Sequence, residues 1–578
     1  MTQRIDPILL EVLKNGFEAI ADEMALILMR TAHSSIVRDA MDYSTALCND
    51  RGEIIAQGVT TPMHLGSFHD AMLFLIDHFA GRIRPGDVFV GNDPYLIKGQ
   101  HLPDIYVIEP IFDADARLCA WATTIAHHAD VGGLVPGSNS IGATEIHQEG
   151  LRLPFLKLVE NGVENDTLMQ VVAANVRVPD QVLGDLRAQM AAARAGRMGF
   201  EALLARHGSD KLAAYGDALQ DQAEKMSRAA IAEIPDGTYH FIDHIDGLGA
   251  NPQPIPLELT LTVAETEITA DWTGTSAQVR GGINAPLSFA KSNVYAALRS
   301  IMPADVPNCH GYTRPITVTA PEGTLVNCTY PAPCGARGIT GYRIIDCVFG
   351  ALAEALPDRV TADTTGGSSL PSFGGQHGGA PFVFSECVMG VWGATSRHDG
   401  QSGVPHMGSN QANVPIEMIE ADYPLRIESY GFVPDTGGPG EYRGGVSIRR
   451  SWRALADDTY FGIRSDKADF PPHGLFGGGS GQPAQTQILS DGAARPVPML
   501  ATLPETLSAG SLVDHRMAGG GGYGDPLARD PARVAEDLAD GLITPDHART
   551  AYGVVVADPT LGTIDLAATE TLRASLRA

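Results

Sequence analysis

From residue 7 to about residue 31, apolar side chains recur at Leu10, Leu13, Phe17, Ile20, Met24, Ile27 and Leu28. That spacing marks one face of a helix, and a proline at its start suits a helix N-terminus. An amphipathic helix packed on the first sheet is predicted. The period then shortens. Residues 43–48 and 53–57 flank the turn Asn49-Asp50-Arg51-Gly52, and residues 105–112 and 118–125 flank the polar stretch 113–117. Both read as β-hairpins.

From about 166 to 234 the chain is rich in Ala, Leu, Arg and Gln with helical spacing, predicting two or three long helices broken near Val178-Pro179 and His207-Gly208. This reads as a helical insert or arm. Period-two alternation returns at 257–263 and 267–272, helices reappear near 288–302 and 341–356, and residues 361–524 are dense in glycine and proline. Polar helices at 530–542 and 544–552 close the chain. The expected fold class is α+β and multi-domain, with mixed or antiparallel sheets, a long-helix insert and a glycine-rich, loop-rich C-terminal half. Expected boundaries are 1–165 (α+β), 166–235 (helical insert), 236–360 (α+β), 361–526 (Gly/Pro-rich β) and 527–578 (helical tail).

Composition narrows the function classes. The 578 residues, 44% hydrophobic and only 19% charged, suffice for several buried cores. A formal net charge of -27 argues against nucleic acid and anionic membranes as partners, since phosphate binding needs excess Lys and Arg. Seven scattered cysteines with no Cys-x-x-Cys pair suggest neither a zinc ribbon nor a redox motif. They predict a reducing, cytoplasmic setting. The N-terminus runs into a helix rather than a signal sequence, and no apolar run approaches the roughly 20 residues of a membrane span.

Two short motifs concentrate imidazoles and carboxylates without thiols: Asn92-Asp93-Pro94-Tyr95 leading to His101-Leu102-Pro103-Asp104, and Ala126-His127-His128-Ala129-Asp130-Val131-Gly132-Gly133. That is ligand chemistry for a divalent metal in an enzyme. If the hairpin pairs antiparallel, His101 and Asp104 at the start of one strand meet His127, His128 and Asp130 at the end of the other. Adjacent strand residues face opposite ways, and a one-residue slip would exchange His127 and His128. Spacing leaves that choice open. Asp42 stands at the mouth of a neighbouring strand. The runs 437–445, 477–481 and 519–524 lack the Gly-x-x-x-x-Gly-Lys-Ser/Thr form of a phosphate loop and read as turns near a subunit interface. Cys334, with no activating base in view, stays off the catalytic list.

These motifs, in order, resemble the hydantoinase B/oxoprolinase family over essentially the whole chain. The resemblance extends from Arg30-Thr31-Ala32 and Met41-Asp42-Tyr43-Ser44 to Pro434-Asp435-Thr436-Gly437-Gly438-Pro439-Gly440-Glu441-Tyr442-Arg443-Gly444-Gly445 and Gly519-Gly520-Gly521-Gly522-Tyr523-Gly524-Asp525-Pro526. It implies a metal-bearing subunit, working with a larger ATP-using A-type subunit that activates an amide or ketone oxygen. It also implies Asp42, His101, Asp104 and His127 as metal ligands and as the catalytic set, choosing His127 over His128. Such a donor set suits Zn, Mn or Fe. Asp93, Asp130, Glu145 and His147 then become candidates for partners of the ligands or a general base, with Asp93, before Pro94, better suited to organising a turn than to binding metal. The implied activity is ATP-dependent hydrolysis of a cyclic amide of the N-methylhydantoin or 5-oxoproline kind. The alternatives are a ketone carboxylase and a non-catalytic scaffold for the ATPase. ATP and Mg are expected on the partner, in a heterotetramer or larger assembly.

Overall fold

The computed structural model describes residues 5–365, 367, 369–558 and 562–578, and its first sheet forms where apolar runs are bounded by turn signals. The strands β1 (Tyr43–Asn49), β2 (Ile54–Gln57), β3 (Val88–Gly91), β4 (Asp104–Phe112), β5 (Leu118–His127), β6 (Leu156–Glu160) and β7 (Val163–Glu164) take the order β2-β1-β5-β4-β3-β6-β7. β4 and β5 are the predicted hairpin. Its turn closes where the Asp113 N–H donates to the Arg117 carbonyl at 3.0 Å and Ala116 adopts φ +59°. Pairing is antiparallel, with Asp104 opposite His127; β1 lies on the far side of β5, Tyr43 opposite Ala126.

Alternation of side chains then sorts this sheet into two apolar faces. Ile105, Val107, Ala122 and Ala126 share a core with the stripe of α1 (Pro7–Thr31). The short α2 (Ser35–Arg38) links that helix to the sheet. Tyr106, Ile108, Trp121 and Ile125 point the other way, onto Phe68, Met72 and Leu75 of α3 (Pro62–His78). Burial on both faces explains why β4 and β5 read as nearly continuous apolar runs.

The helical stretch becomes α4 (Asp166–Asn175), α5 (Pro179–His207) and α6 (Ser209–Ile231). It is a packed layer and not a projecting arm: Val182, Leu186, Ala192 and Phe200 of α5 enter the α1 core. The Asp185 carboxylate also accepts the His33 and Ser34 N–H groups. Small residues permit this approach. A Cβ on Gly196 would sit 2.4 Å from the Met24 sulfur.

The second sheet, β8 (Gly237–Ile245), β9 (Ile255–Ala264), β10 (Glu267–Asp271) and β11 (Ile316–Thr319), runs in the order β11-β10-β9-β8. Leu257, Leu259, Leu261 and Val263 alternate inward from β9 onto α7 (Leu287–Ser300) and α8 (Gly338–Leu352). Further on, β12 (Leu370–His377), β13 (Ala380–Ser385), β14 (Gly390–Val391), β15 (Ser402–Val404), β16 (Leu425–Phe432), β17 (Ile448–Ala454) and β18 (Thr459–Arg464) introduce smaller sheets around Phe373, Trp452 and Phe461. The glycine runs are not simple turns. They interleave as hydrogen-bonded segments, with Gly438 N–H donating to the Gly520 carbonyl, Gly479 to Pro439 and Gly522 to Gly479. Only hydrogen fits between some of them: a Cβ on Gly444 would lie 1.9 Å from the Gly520 oxygen. The tail carries helices Pro531–Ala539, Pro545–Tyr552 and Leu566–Arg577. No helix among the described residues is long and apolar enough to cross a membrane.

Candidate metal centre

Three neighbouring strand ends converge on one point. Asp42 immediately precedes β1, His127 ends β5 and Asp104 begins β4, and the His127 N–H donates to the Asp42 carbonyl at 3.0 Å. Asp104 and His127 share the face turned toward α3. His101 joins them through a turn in which the Asp104 N–H donates to the His101 carbonyl at 3.2 Å. One donor atom from each of His101, Asp104 and His127 lies within 4.8 Å of the others. His101 Nε2 stands 3.1 Å from Asp104 Oδ1, and the two imidazole centroids are 5.0 Å apart.

All three side chains are buried, and His101 Nε2, Asp104 Oδ1 and both His127 ring nitrogens find no hydrogen-bond partner among the described residues. Orphaned polar atoms gathered at one buried point are costly unless something accepts their lone pairs. A divalent cation fits that requirement, and two imidazoles with a carboxylate and no thiolate are donors that suit Zn, Mn or Fe.

The surroundings aim these groups. His101 Nδ1 lies 2.9 Å from the Gly335 carbonyl; as the donor there it leaves Nε2 with a free lone pair toward Asp104. The Gly335 turn is itself held by Glu149, whose carboxyl oxygens accept the Cys334 N–H at 2.9 Å and the Gly335 N–H at 2.6 Å. Arg337, the residue capping α8, donates to Asp104 Oδ2 and to Gln100 Oε1, and its guanidinium stacks 4.4 Å over the Phe289 ring.

Burial, reinforced by the Arg337 charge, pushes the His101 imidazole down to about 4. Burial likewise holds His127 well below the usual range, with His101 adding to the effect. At Asp104 burial pulls upward, but Arg337 and the imidazoles outweigh it and keep the carboxyl well below its ordinary value. Near neutral pH the cluster therefore presents neutral imidazoles and an ionised carboxylate, the protonation state a metal ligand needs.

Asp42 does not belong to this trio. Its Oδ1 faces His64 Nε2 at 3.6 Å, and the same His64 nitrogen is 3.8 Å from Asp104 Oδ2. Burial raises the Asp42 carboxyl, with His64 opposing the shift. His64, in the first turn of α3, was missed in the sequence because a single histidine after Thr61-Pro62-Met63 carries no ligand spacing. Glu149 and Arg337 were missed for the same reason.

His128 turns to the opposite face, its Nε2 2.9 Å from Gln189 Oε1 on α5. Asp93 organises its turn, accepting the Tyr95 and Leu96 N–H groups and pairing with Arg152 at 2.5 Å. Asp130 pairs with Arg177 and caps the Gly132 and Gly137 N–H groups. The expectation that Glu145 or His147 serves the buried cluster is corrected. Both are exposed; Glu145 closes a capping box with Gln148, and His147 bonds the Tyr330 hydroxyl at 2.8 Å. Cys334 is buried 3.5 Å from the Cys328 sulfur, and burial pushes its thiol well up, away from a nucleophilic thiolate.

Fold and site together define a multi-domain α+β protein whose buried imidazole–carboxylate cluster lies at the paired ends of β4 and β5. The chain belongs to the hydantoinase B/oxoprolinase family, whose model matches residues 6–526. It is 33% identical over 573 residues to the B-type component of a putative D-/L-hydantoinase of Pseudomonas sp. strain NS671, covering 96% of each chain. It is 32% identical over 597 residues to the beta component of the caprolactamase of Pseudomonas jessenii, covering 99% of each. The crystal structure of the ATP-dependent caprolactamase from that organism superposes with a TM-score of 0.91 at 30% identity, over 99% of this chain and 100% of that one. A nucleotide-free acetone carboxylase superposes with a TM-score of 0.92 over 99% of this chain and 83% of the other. At 21% identity, that likeness is one of fold alone.

Proposed function

We propose that this chain is the metal-bearing subunit of an ATP-dependent cyclic amide hydrolase, completing ring opening of a substrate that a separate ATP-using A-type subunit has activated. The observation that carries this reading is the buried His101, Asp104 and His127 cluster with its orphaned donor atoms. End-to-end similarity to hydantoinase and caprolactamase subunits supports it. His101, Asp104 and His127 hold the divalent ion, and Asp42 borders it across His64. When bound, such an ion supplies Lewis acidity and a water of lowered pKa. Arg337 keeps Asp104 ionised, Glu149 and the Gly335 carbonyl orient His101, and the burial of the whole group excludes bulk water. His64 Nε2 stands between the Asp42 and Asp104 carboxylates, 3.6 Å from one and 3.8 Å from the other. The glycine runs are occupied with one another, in keeping with nucleotide binding on the partner.

The test is metal analysis of the purified chain, followed by ATP-dependent turnover of hydantoins, 5-oxoproline and caprolactam after reconstitution with its A-type partner. Bound divalent metal, and loss of ring opening in Asp42→Asn, His101→Ala and His127→Ala, are expected. Partner-dependent turnover that survives these replacements would overturn the assignment. Turnover of ketones with bicarbonate alone would replace the hydrolase with a carboxylase.

A further inference from the structure

Six arginines are buried among the described residues: Arg337, Arg343, Arg443, Arg450, Arg464 and Arg529. Five of them sit against carboxylates: Arg337 on Asp104, Arg343 on Asp243 and Asp466, Arg443 on Asp537, Arg450 on Glu386, and Arg529 on Asp399 and Asp537. Arg464 is the exception. It is 6% exposed, and its Nε and Nη1 have no hydrogen-bond partner among the described residues. A buried guanidinium with no carboxylate within ion-pair distance is costly to hold.

Its position explains what the charge is for. Arg464 ends β18, and its guanidinium lies against the first residue of α8: a Cβ on Gly338 would fall 2.8 Å from Nη1 and 3.4 Å from Nη2. The N-terminus of that 15-residue helix carries the positive end of its dipole. The adjoining cap, Arg337, is already committed to Asp104 and Gln100. Gly338 directly follows Arg337, whose guanidinium donates to Asp104, so Arg464 packs on the end of α8 that reaches the cluster. With a divalent ion bound, this neighbourhood sets the ion and two guanidinium groups against the Asp42 and Asp104 carboxylates. Two positive charges remain unmatched.

We propose that Arg464 and the N-terminus of α8 form an oxyanion subsite beside the metal cluster, which takes a dianionic phosphoryl group, or a carboxylate, of the substrate. The charge surplus favours the dianion, and the planar fork of Arg suits two oxygens of either group. The surplus, and with it the preference for a dianion, rests on the metal reading, because without the ion the two guanidinium groups balance the two carboxylates. The orphaned guanidinium stands without it.

The full-length chain is titrated calorimetrically with inorganic phosphate and, in a separate arm, with acetate, each in metal-free and Mn-loaded protein; metal content is measured in every sample. Saturable phosphate binding is expected in the wild-type chain, weakened about tenfold or more by Arg464→Gln, with metal stoichiometry unchanged. Tighter binding of acetate than of phosphate identifies the carboxylate as the source. Arg464→Lys keeps the charge without the fork, and an affinity loss of about threefold or more is expected. Should Arg464→Gln not fold, the Lys variant decides. Absence of binding by both anions in the wild type, or equal phosphate affinity in wild type and variants, overturns the proposal. A chain that takes up no metal but binds phosphate through Arg464 would defeat the metal reading and leave this subsite standing.

Discussion

Glu149 never touches the His101, Asp104 and His127 cluster, yet if that cluster holds a metal as proposed, removing Glu149 should weaken its binding. Its carboxyl oxygens accept the Cys334 and Gly335 N–H groups at 2.9 and 2.6 Å, and the Gly335 carbonyl accepts a hydrogen bond from His101 Nδ1 at 2.9 Å. Glu149→Ala leaves two buried N–H groups without acceptors, about 1–3 kcal/mol each, so the turn relaxes and the imidazole loses its fixed partner. Groups that orient a metal-bound histidine in this way typically set metal affinity by about 10- to 100-fold, equivalent to about 1.4–2.7 kcal/mol. The assay is a chelator-competition titration with Zn or Mn on the isolated chain. Glu149→Ala should fall in that range, Glu149→Gln between it and wild type, His101→Ala below both, and Glu145→Ala on the wild-type value. A Glu149→Ala affinity within about twofold of wild type would refute the relay through Gly335.

The remaining expectations concern the faces of the sheet, pH and the glycine lattice. His127→Ala should abolish stoichiometric metal in elemental analysis, whereas His128→Ala should retain it and lose about 1–3 kcal/mol of stability from the Gln189 partner left unpaired. For the metal-free chain, His101 is depressed to about 4 in the folded state while the unfolded chain titrates near 6.5, so acid favours unfolding. Its contribution is present above about pH 6.5 and lost toward pH 4. Between pH 7 and pH 5 it amounts to about 2 kcal/mol, with His127 acting in the same direction. Hydrogen exchange at the β4–β5 strand ends, corrected for intrinsic rates, measures this, and a flat profile from pH 7 to 5 would contradict it. Gly444→Ala, driving a methyl to 1.9 Å from the Gly520 oxygen, should cost about 3 kcal/mol or more. Limited proteolysis of the segments around 437–445 and 519–524 would register the loosening, and wild-type resistance would count against close backbone packing there.

Much of the local architecture is legible in the chain itself. The α1 stripe, both hairpins, the helix breaks at Pro179 and Gly208 and the alternation of β9 are all local periodicities, and each element formed where its pattern lies. The hairpin also brings His101 and Asp104 to His127, because an antiparallel pair makes residues equidistant from its turn into neighbours.

What tertiary structure alone decided is everything that depends on which face and which distant residue meet. Register, with Asp104 opposite His127, turned His127 into the cluster and His128 toward Gln189, a choice that spacing left open. His64, Glu149, Arg337 and Arg464 reach the site from separate elements, and no local spacing joins them. The glycine runs likewise look like turns in isolation, and only the approach of three distant segments shows that backbone atoms occupy the space their missing side chains leave. Periodicity is a property of neighbours along the chain, whereas a buried charge is made tolerable only by the partners that folding brings to it.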